Sequence, residues 1–144
     1  MRWGLIPPWA PDERMGAKMF NARSETLDSS RAFRQPFRSQ RGIVPMSSFI
    51  EWRQEGQGKQ PWLITSEDEA LAVAALWDVW EGGVEPLLSC TLVTTAAAPA
   101  FEPWHRRMPL VLARDDVEAV GKLLGFDFDI HGWAVPFLGG VQAV

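Results

Sequence analysis

Apolar residues in this chain come mostly in short runs bounded by Gly, Pro and charged stretches, a pattern of strands rather than long helices. WGLI (3–6) predicts a short strand, and PPWAPDE after it a loop stiffened by proline. SETLDSSRAFRQ (24–35) predicts a helix capped by Ser24 and ended before Pro36, with Leu27 and Arg31 on one face and Phe33 and Phe37 as anchors. GIVPMSSFIEW (42–52) predicts two short strands broken at Ser47–Ser48. QEGQGKQ (54–60) is a turn, and PWLIT (61–65) returns as a strand. LAVAALWDVW (71–80) and LLSCTLVTTA (87–96) predict two further strands. APAFEPWHRRMP reads as a loop with one helical turn, and PLVLA (109–113) as a strand. In DDVEAVGKLLGF, Asp115 and Glu118 fit a capping box, Val117, Val120, Leu123 and Leu124 form one apolar stripe, and Gly125 ends the helix. Residues 126–144 give no clear element. The sum is an α+β chain with a mostly antiparallel sheet, and one domain over 1–144, since no repeat or linker divides it.

Composition adds several limits. The 144 residues suffice for one core, and 47% hydrophobic with 22% charged residues is ordinary globular usage. No apolar run approaches the roughly 18 residues of a membrane span, and Pro7 and Pro8 break the only candidate leader, so a cytoplasmic protein is expected, nucleoid-associated if bacterial. A single cysteine, Cys90, excludes an internal disulfide and, inside LLSCTLV, reads as a buried thiol. The net charge of −4 speaks against a generic nucleic-acid coat, but residues 1–53 carry +4 and the rest −8. Eleven of the fourteen basic residues are Arg, whose planar fork binds phosphate and stacks on bases. Eight Trp without any Tyr, several beside Pro, Arg, Glu or His, suggest half-exposed rings.

Nucleotide loops and the GxSxG nucleophile motif are absent. His105 and His131 lie far apart with no ligand spacing around them, so neither metal nor cofactor is expected. Three polar clusters remain. In the first, an extended 20–25 would put Asn21, Arg23 and Glu25 on one face, or the segment is only a helix cap with a surface ion pair. In the second, Glu51 sits in the apolar strand FIEWR, where a carboxylate needs a partner such as an Arg. In the third, His105 stands between Trp104 and Arg106–Arg107, either functional or an ordinary surface histidine. Together they offer an amide, a carboxylate, an imidazole, guanidiniums and indoles, which suits acid–base work on single-stranded nucleic acid.

WGLIPPWA, NARSET, the strand ending FIEW, KQPW, the ALW strand, LVTTAA and HRRMP follow one another in an order that resembles the SRAP domain, the SOS response-associated peptidase family. The resemblance covers residues 2 to about 113. It implies β-barrel-like sheets decorated with a few helices, and binding to abasic sites in single-stranded DNA as part of the DNA damage response. Family members cross-link to such sites through an N-terminal cysteine whose amine forms a Schiff base and whose thiol closes a thiazolidine; a peptidase role that releases this cysteine is also proposed for them. By the same resemblance Asn21 orients the reacting amine, Glu51 is the acid–base carboxylate, and His105 assists sugar ring opening. Arg23 and Arg107 grip phosphate, Trp52 lies at the DNA surface, and Trp3 and Trp9 lie in the DNA-facing segment.

Two departures shape the expectation. The family begins Met-Cys-Gly-Arg with several strands ahead of the WGLIPPW segment, whereas this sequence begins Met1-Arg2-Trp3, and its usual His-Asp-Arg is here His105-Arg106-Arg107, which adds Arg106 to the DNA-binding set. The C-terminal segment of the family is not recognisable in WAVPFLGGVQAV. The expectation is a domain truncated at its N-terminus that binds abasic single-stranded DNA without forming the thiazolidine. A non-catalytic single-stranded DNA-binding module and an inactive relic are the alternatives. Missing strands would leave open sheet edges, to be covered by other parts of the chain, by self-association or by a partner that supplies them.

Overall fold

A computed structural model describes residues 1–65, 70–112, 117 and 140–143. In chain order its strands are β1 (Arg2–Trp3), β2 (Asn21–Arg23), β3 (Arg41–Met46), β4 (Ser48–Glu55), β5 (Gly58–Thr65), β6 (Leu71–Trp80), β7 (Leu87–Ala96), β8 (Arg107–Pro109) and β9 (Gly140–Ala143). A short helix, α1 (Arg34–Ser39), precedes β3. The class is α+β, with antiparallel pairing between β4 and β5, β5 and β9, and β6 and β7. The chain divides into two compact units, 1–44 with 74–95 and 45–73 with 96–144.

The first unit is organised by β7, rich in β-branched and apolar residues as a central strand requires. One edge pairs antiparallel with β6 over Ala75–Trp80, and β6 is flanked in turn by β3. The other edge receives two parallel partners in line: Arg2 and Trp3 face Ser89 and Cys90, and Asn21 to Arg23 face Leu92 to Thr94. Residues 4–20 leave the sheet between these two contacts. They turn at Gly4 (φ +110°), whose missing Cβ would lie 2.4 Å from the Gly16 carbonyl oxygen. The loop is then pinned back, with Leu5 N donating to Met19 O at 3.1 Å and Ile6 N to Ser89 Oγ at 2.8 Å. Trp80 closes this core. Its indole N–H donates to Ala10 O at 2.9 Å, and Ile6, Ala10, Met15 and Leu87 pack around it.

Two expectations in this unit are corrected. WGLI is not a strand over 3–6: pairing stops at Trp3, because Gly4 takes a positive φ, and Leu5 and Ile6 are buried loop residues. The helix expected over 24–35 is replaced by a 3-10 turn, Ser24–Thr26, and by α1, which starts at Arg34 and contains Pro36. Proline is tolerated there because the first amides of a helix have no intrahelical acceptor, so Pro36 opens the helix it was expected to end. Ser24 makes no capping bond among the described residues. Leu27, Ala32 and Pro36 are the buried anchors, while Phe37 is 38% exposed.

In the second unit β4 and β5 form a hairpin in register from Ser48–Thr65 to Glu55–Gly58. Gly56 (φ +58°) supplies the left-handed turn residue, and the break between β3 and β4 falls at Ser47, as expected. Ile64, Leu71, Val73 and Phe101 are fully buried here. The strand expected over 109–113 shifts: β8 ends at Pro109, which has no N–H to extend a ladder, and Val111 makes only an isolated antiparallel bridge to Val73. Of the helix expected after Asp115, only Val117 lies among the described residues; it is helical and 3% exposed. The rest of that helix and residues 126–139 lie outside them, and the backbone of 140–143 pairs with β5.

Candidate nucleic-acid interface

In the first unit β2 alternates as its sequence dictates. Ala22 is buried, and Asn21 and Arg23 are exposed on the opposite side. The backbone around them is fixed: Leu92 N donates to Phe20 O at 3.1 Å, and Thr94 Oγ1 donates to Ala22 O at 3.4 Å. Glu25 falls in the 3-10 turn beyond the strand, so it does not continue that alternation. Trp3 is 61% exposed; its indole N–H donates to Phe20 O at 2.8 Å, and its ring meets the Phe20 ring edge-to-face at 6.0 Å. Trp9 is 41% exposed and carries the Arg31 guanidinium 4.2 Å above its ring. The expectation of half-exposed indoles therefore holds for both.

In the second unit β4 places Glu51 and Arg53 on its half-buried face and Ile50 and Trp52 on its exposed face. Trp52 is 53% exposed. Glu51 sits opposite Trp62 and accepts a hydrogen bond from Trp52 N–H at 3.1 Å. It forms no ion pair among the described residues, so the expected Arg partner is not found there. Arg53 instead lies about equally far from two indoles, 6.0 Å from Trp62 and 5.9 Å from Trp104, whose rings meet at 6.0 Å. This Arg–Trp–Trp group escaped the sequence reading, although alternation in FIEWR already puts Arg53 on the face of Glu51.

His105 is exposed and oriented by its own loop. Its Nδ1 lies 2.8 Å from Arg107 O and 3.2 Å from Arg107 N. Nδ1 either donates to that carbonyl or accepts from that amide, according to the tautomer, and in both cases the ring is tied to its loop through Nδ1. Arg106 is exposed, and its carbonyl accepts from Ala97 N at 3.0 Å. Arg107 is half-buried in β8. Asn21, Arg23, Trp3 and Trp9 thus belong to one unit, and Glu51, Trp52, His105, Arg106 and Arg107 to the other. No group of three metal-ligating side chains occurs among the described residues.

Cys90 is buried in β7 between Trp3 and Trp77 on the flanking strands, and burial pushes its thiol pKa up. A raised folded-state pKa gives stability that is full below the ordinary thiol pKa and is lost as pH climbs through the raised value. Alkylation of Cys90 by iodoacetamide at pH 8 is therefore expected to be at least about tenfold slower in the folded chain than in urea, read by mass spectrometry. Equal rates would contradict the buried thiol.

The family model for SOS response associated peptidase (SRAP) matches residues 1–121. The abasic site processing protein YoaM of Bacillus subtilis (strain 168) is 45% identical over 118 residues, 80% of this chain and 52% of that protein. The abasic site processing protein HMCES of Gallus gallus is 34% identical over 151 residues, 88% of this chain and 44% of that protein. The chain spans about half the length of the curated relatives it matches. A crystal structure of a protein from Bordetella bronchiseptica superposes with a TM-score of 0.77 at 28% identity, covering 99% of this chain and 75% of that one.

Proposed function

Since this chain belongs to the SRAP family, we propose that it takes part in abasic-site processing by binding single-stranded DNA that carries such a site. The reading rests on the family match together with the exposed amide–guanidinium pair of β2, Asn21 and Arg23, held rigid by β7. In this proposal Arg23, Arg106 and Arg107 contact phosphates, and Trp3, Trp9 and Trp52 offer faces for stacking, worth roughly 1–3 kcal/mol per base. Asn21 orients an attacking amine by hydrogen bonding. Glu51 and the Nε2 of His105 exchange protons with the opened sugar. The relatives' printed names support abasic sites as the target.

The buried Cys90 supplies no thiol for a thiazolidine. A polypeptide of this sequence is expected to leave no heat-stable adduct on abasic single-stranded DNA in a denaturing gel. A heat-stable band would overturn that assignment.

Binding itself is tested by fluorescence anisotropy with a labelled oligonucleotide containing a tetrahydrofuran abasic analogue. Neutralising three phosphates predicts that log affinity falls with log salt at a slope of about −2. Arg23→Ala should reduce the slope by about 0.7 and weaken every sequence alike. Salt-independent binding, or no preference for the abasic strand over an intact duplex, would sink the proposal.

A further inference from the structure

In the first unit Trp9, Arg31, Arg34, Gln40 and Asp78 line a cavity of about 470 Å³. That volume lies within the range of pockets that take small ligands. Its floor holds a carboxylate that the fold has every reason to avoid. Asp78 is only 4% exposed, near the C-terminal end of β6. A carboxylate so placed needs donors. Its Oδ1 has two, Gln40 Nε2 at 3.1 Å and Val79 N at 2.8 Å, whereas Oδ2 has no hydrogen bond among the described residues. Gln40 spends its amide N–H on Asp78, so its Oε1 remains an acceptor beside the carboxylate.

The wall is different in kind. Arg31 lies over Trp9 at 4.2 Å and makes no ion pair among the described residues; Arg34 is exposed. The cavity thus combines a buried carboxylate and a half-buried amide oxygen at its floor, a planar stack at its side and two guanidiniums. A cationic ligand would meet Arg31 and Arg34. A bare anion would meet Asp78. A ligand that fits both ends carries N–H donors on a flat ring and a phosphate at the other end.

We propose that this cavity is a guanine-nucleotide pocket, in which Asp78 Oδ2 accepts from the N1–H and exocyclic N2–H of guanine, the ring joins the Trp9–Arg31 stack, and Arg31 or Arg34 holds the phosphate. Guanine is the base that presents two adjacent donors on its pairing edge; adenine presents an acceptor at N1, which a carboxylate repels. The base is either that of a free nucleotide or an unpaired guanine in a single strand, where splayed bases are read on this edge.

The full chain is titrated calorimetrically with GMP, IMP and AMP, and then with a dT 12-mer with or without one central dG. None of these probes contains an abasic site, so the outcome is independent of the abasic-site reading. IMP, which lacks the N2 amine, should bind roughly tenfold more weakly than GMP, as expected for one charge-assisted hydrogen bond, and AMP at least roughly 100-fold more weakly. The same order among mononucleotides assigns the pocket to a free nucleotide. A preference of tenfold or more that emerges only for the dG-containing strand assigns it to a base in DNA. Arg31→Ala, at an exposed position, should weaken GMP about tenfold. Asp78→Asn keeps an oxygen for Gln40 and Val79 and turns Oδ2 into a donor, so the preference for GMP over AMP should vanish. Equal affinities for all probes, or a GMP preference that survives Asp78→Asn, would overturn the proposal and leave Asp78 a link between β6 and the end of α1.

Discussion

Gly4→Ala is expected to destabilise the protein by about 3 kcal/mol or more, from strain at a positive φ plus overpacking. The backbone at Gly4 sits at φ +110°, and an added Cβ would meet Gly16 O at 2.4 Å and Gly16 C at 2.9 Å. Neither atom belongs to a side chain that could swing away. Gly16 is equally tight, since its own Cβ would lie 2.5 Å from Gly4 O and 2.9 Å from Ile6 Cγ1. Each glycine hydrogen therefore lies against the other's carbonyl oxygen, the two segments are joined by Leu5 N donating to Met19 O at 3.1 Å, and Gly4 N is tied to β7 by donating to Cys90 O at 2.8 Å. Gly56→Ala is the control. Gly56 has φ +58° but nothing within 4 Å of its missing Cβ, so only the left-handed strain of about 1–2 kcal/mol applies. Urea unfolding should give a midpoint lowered by roughly 1 M or more for Gly4→Ala and clearly less for Gly56→Ala. Equal shifts would show that the Gly4–Gly16 contact contributes nothing.

Phe101→Ala should cost about 3–5 kcal/mol, the range for deleting a buried aromatic ring. Phe101 is fully buried in the second unit, with Phe49 at 5.9 Å and Trp104 at 6.2 Å between centroids. It is also the root of the turn that carries His105. Phe101 O accepts from Trp104 N at 3.0 Å and from His105 N at 3.4 Å, and Phe101 N donates to Ala98 O at 2.8 Å. Loss of the ring should loosen the Arg53–Trp62–Trp104 group as well, since Trp104 leans on it. The melting temperature should fall by roughly 6–20 °C. Phe101→Leu, which refills most of the volume, should recover the larger part. A Phe101→Ala melt within 2 °C of the parent would show that the ring is not part of this core.

Strands were legible where the hydrophobic pattern was self-sufficient. LAVAALWDVW and LLSCTLVTTA occupy β6 and β7 with the expected bounds; the Gly-containing stretch 54–60 marked the hairpin, but the strands run on to Glu55 and start again at Gly58, so the turn is narrower than expected. Misreadings cluster where one local signal has two meanings. Pro36 can end a helix or open one, and only the burial of Leu27, Ala32 and Pro36 decides which. WGLI has the composition of a strand, but the closeness of Gly4 and Gly16, twelve positions apart, is invisible to any short window. Among the site residues, alternation correctly put Asn21 and Arg23 on one face of β2. The anchoring of His105 through Nδ1 and the Arg31–Trp9 stack depend on loop geometry and on contacts across long stretches of chain, which spacing does not encode.

The pairing of β1 and β2 with β7 also bears on how the protein is made. Arg2 and Asn21 leave the ribosome before their partners Ser89 and Leu92, which follow about 70–90 residues later. At roughly 5–20 residues per second, that is an interval of about 4–18 s. During it, the segment holding Trp3, Trp9 and Phe20 lacks the β7 edge that it joins in the folded protein. The hairpin of β6 and β7 is local in sequence and able to form as soon as it emerges. The nascent segment ahead of β7 is thus a natural client for a chaperone that holds it until β7 arrives.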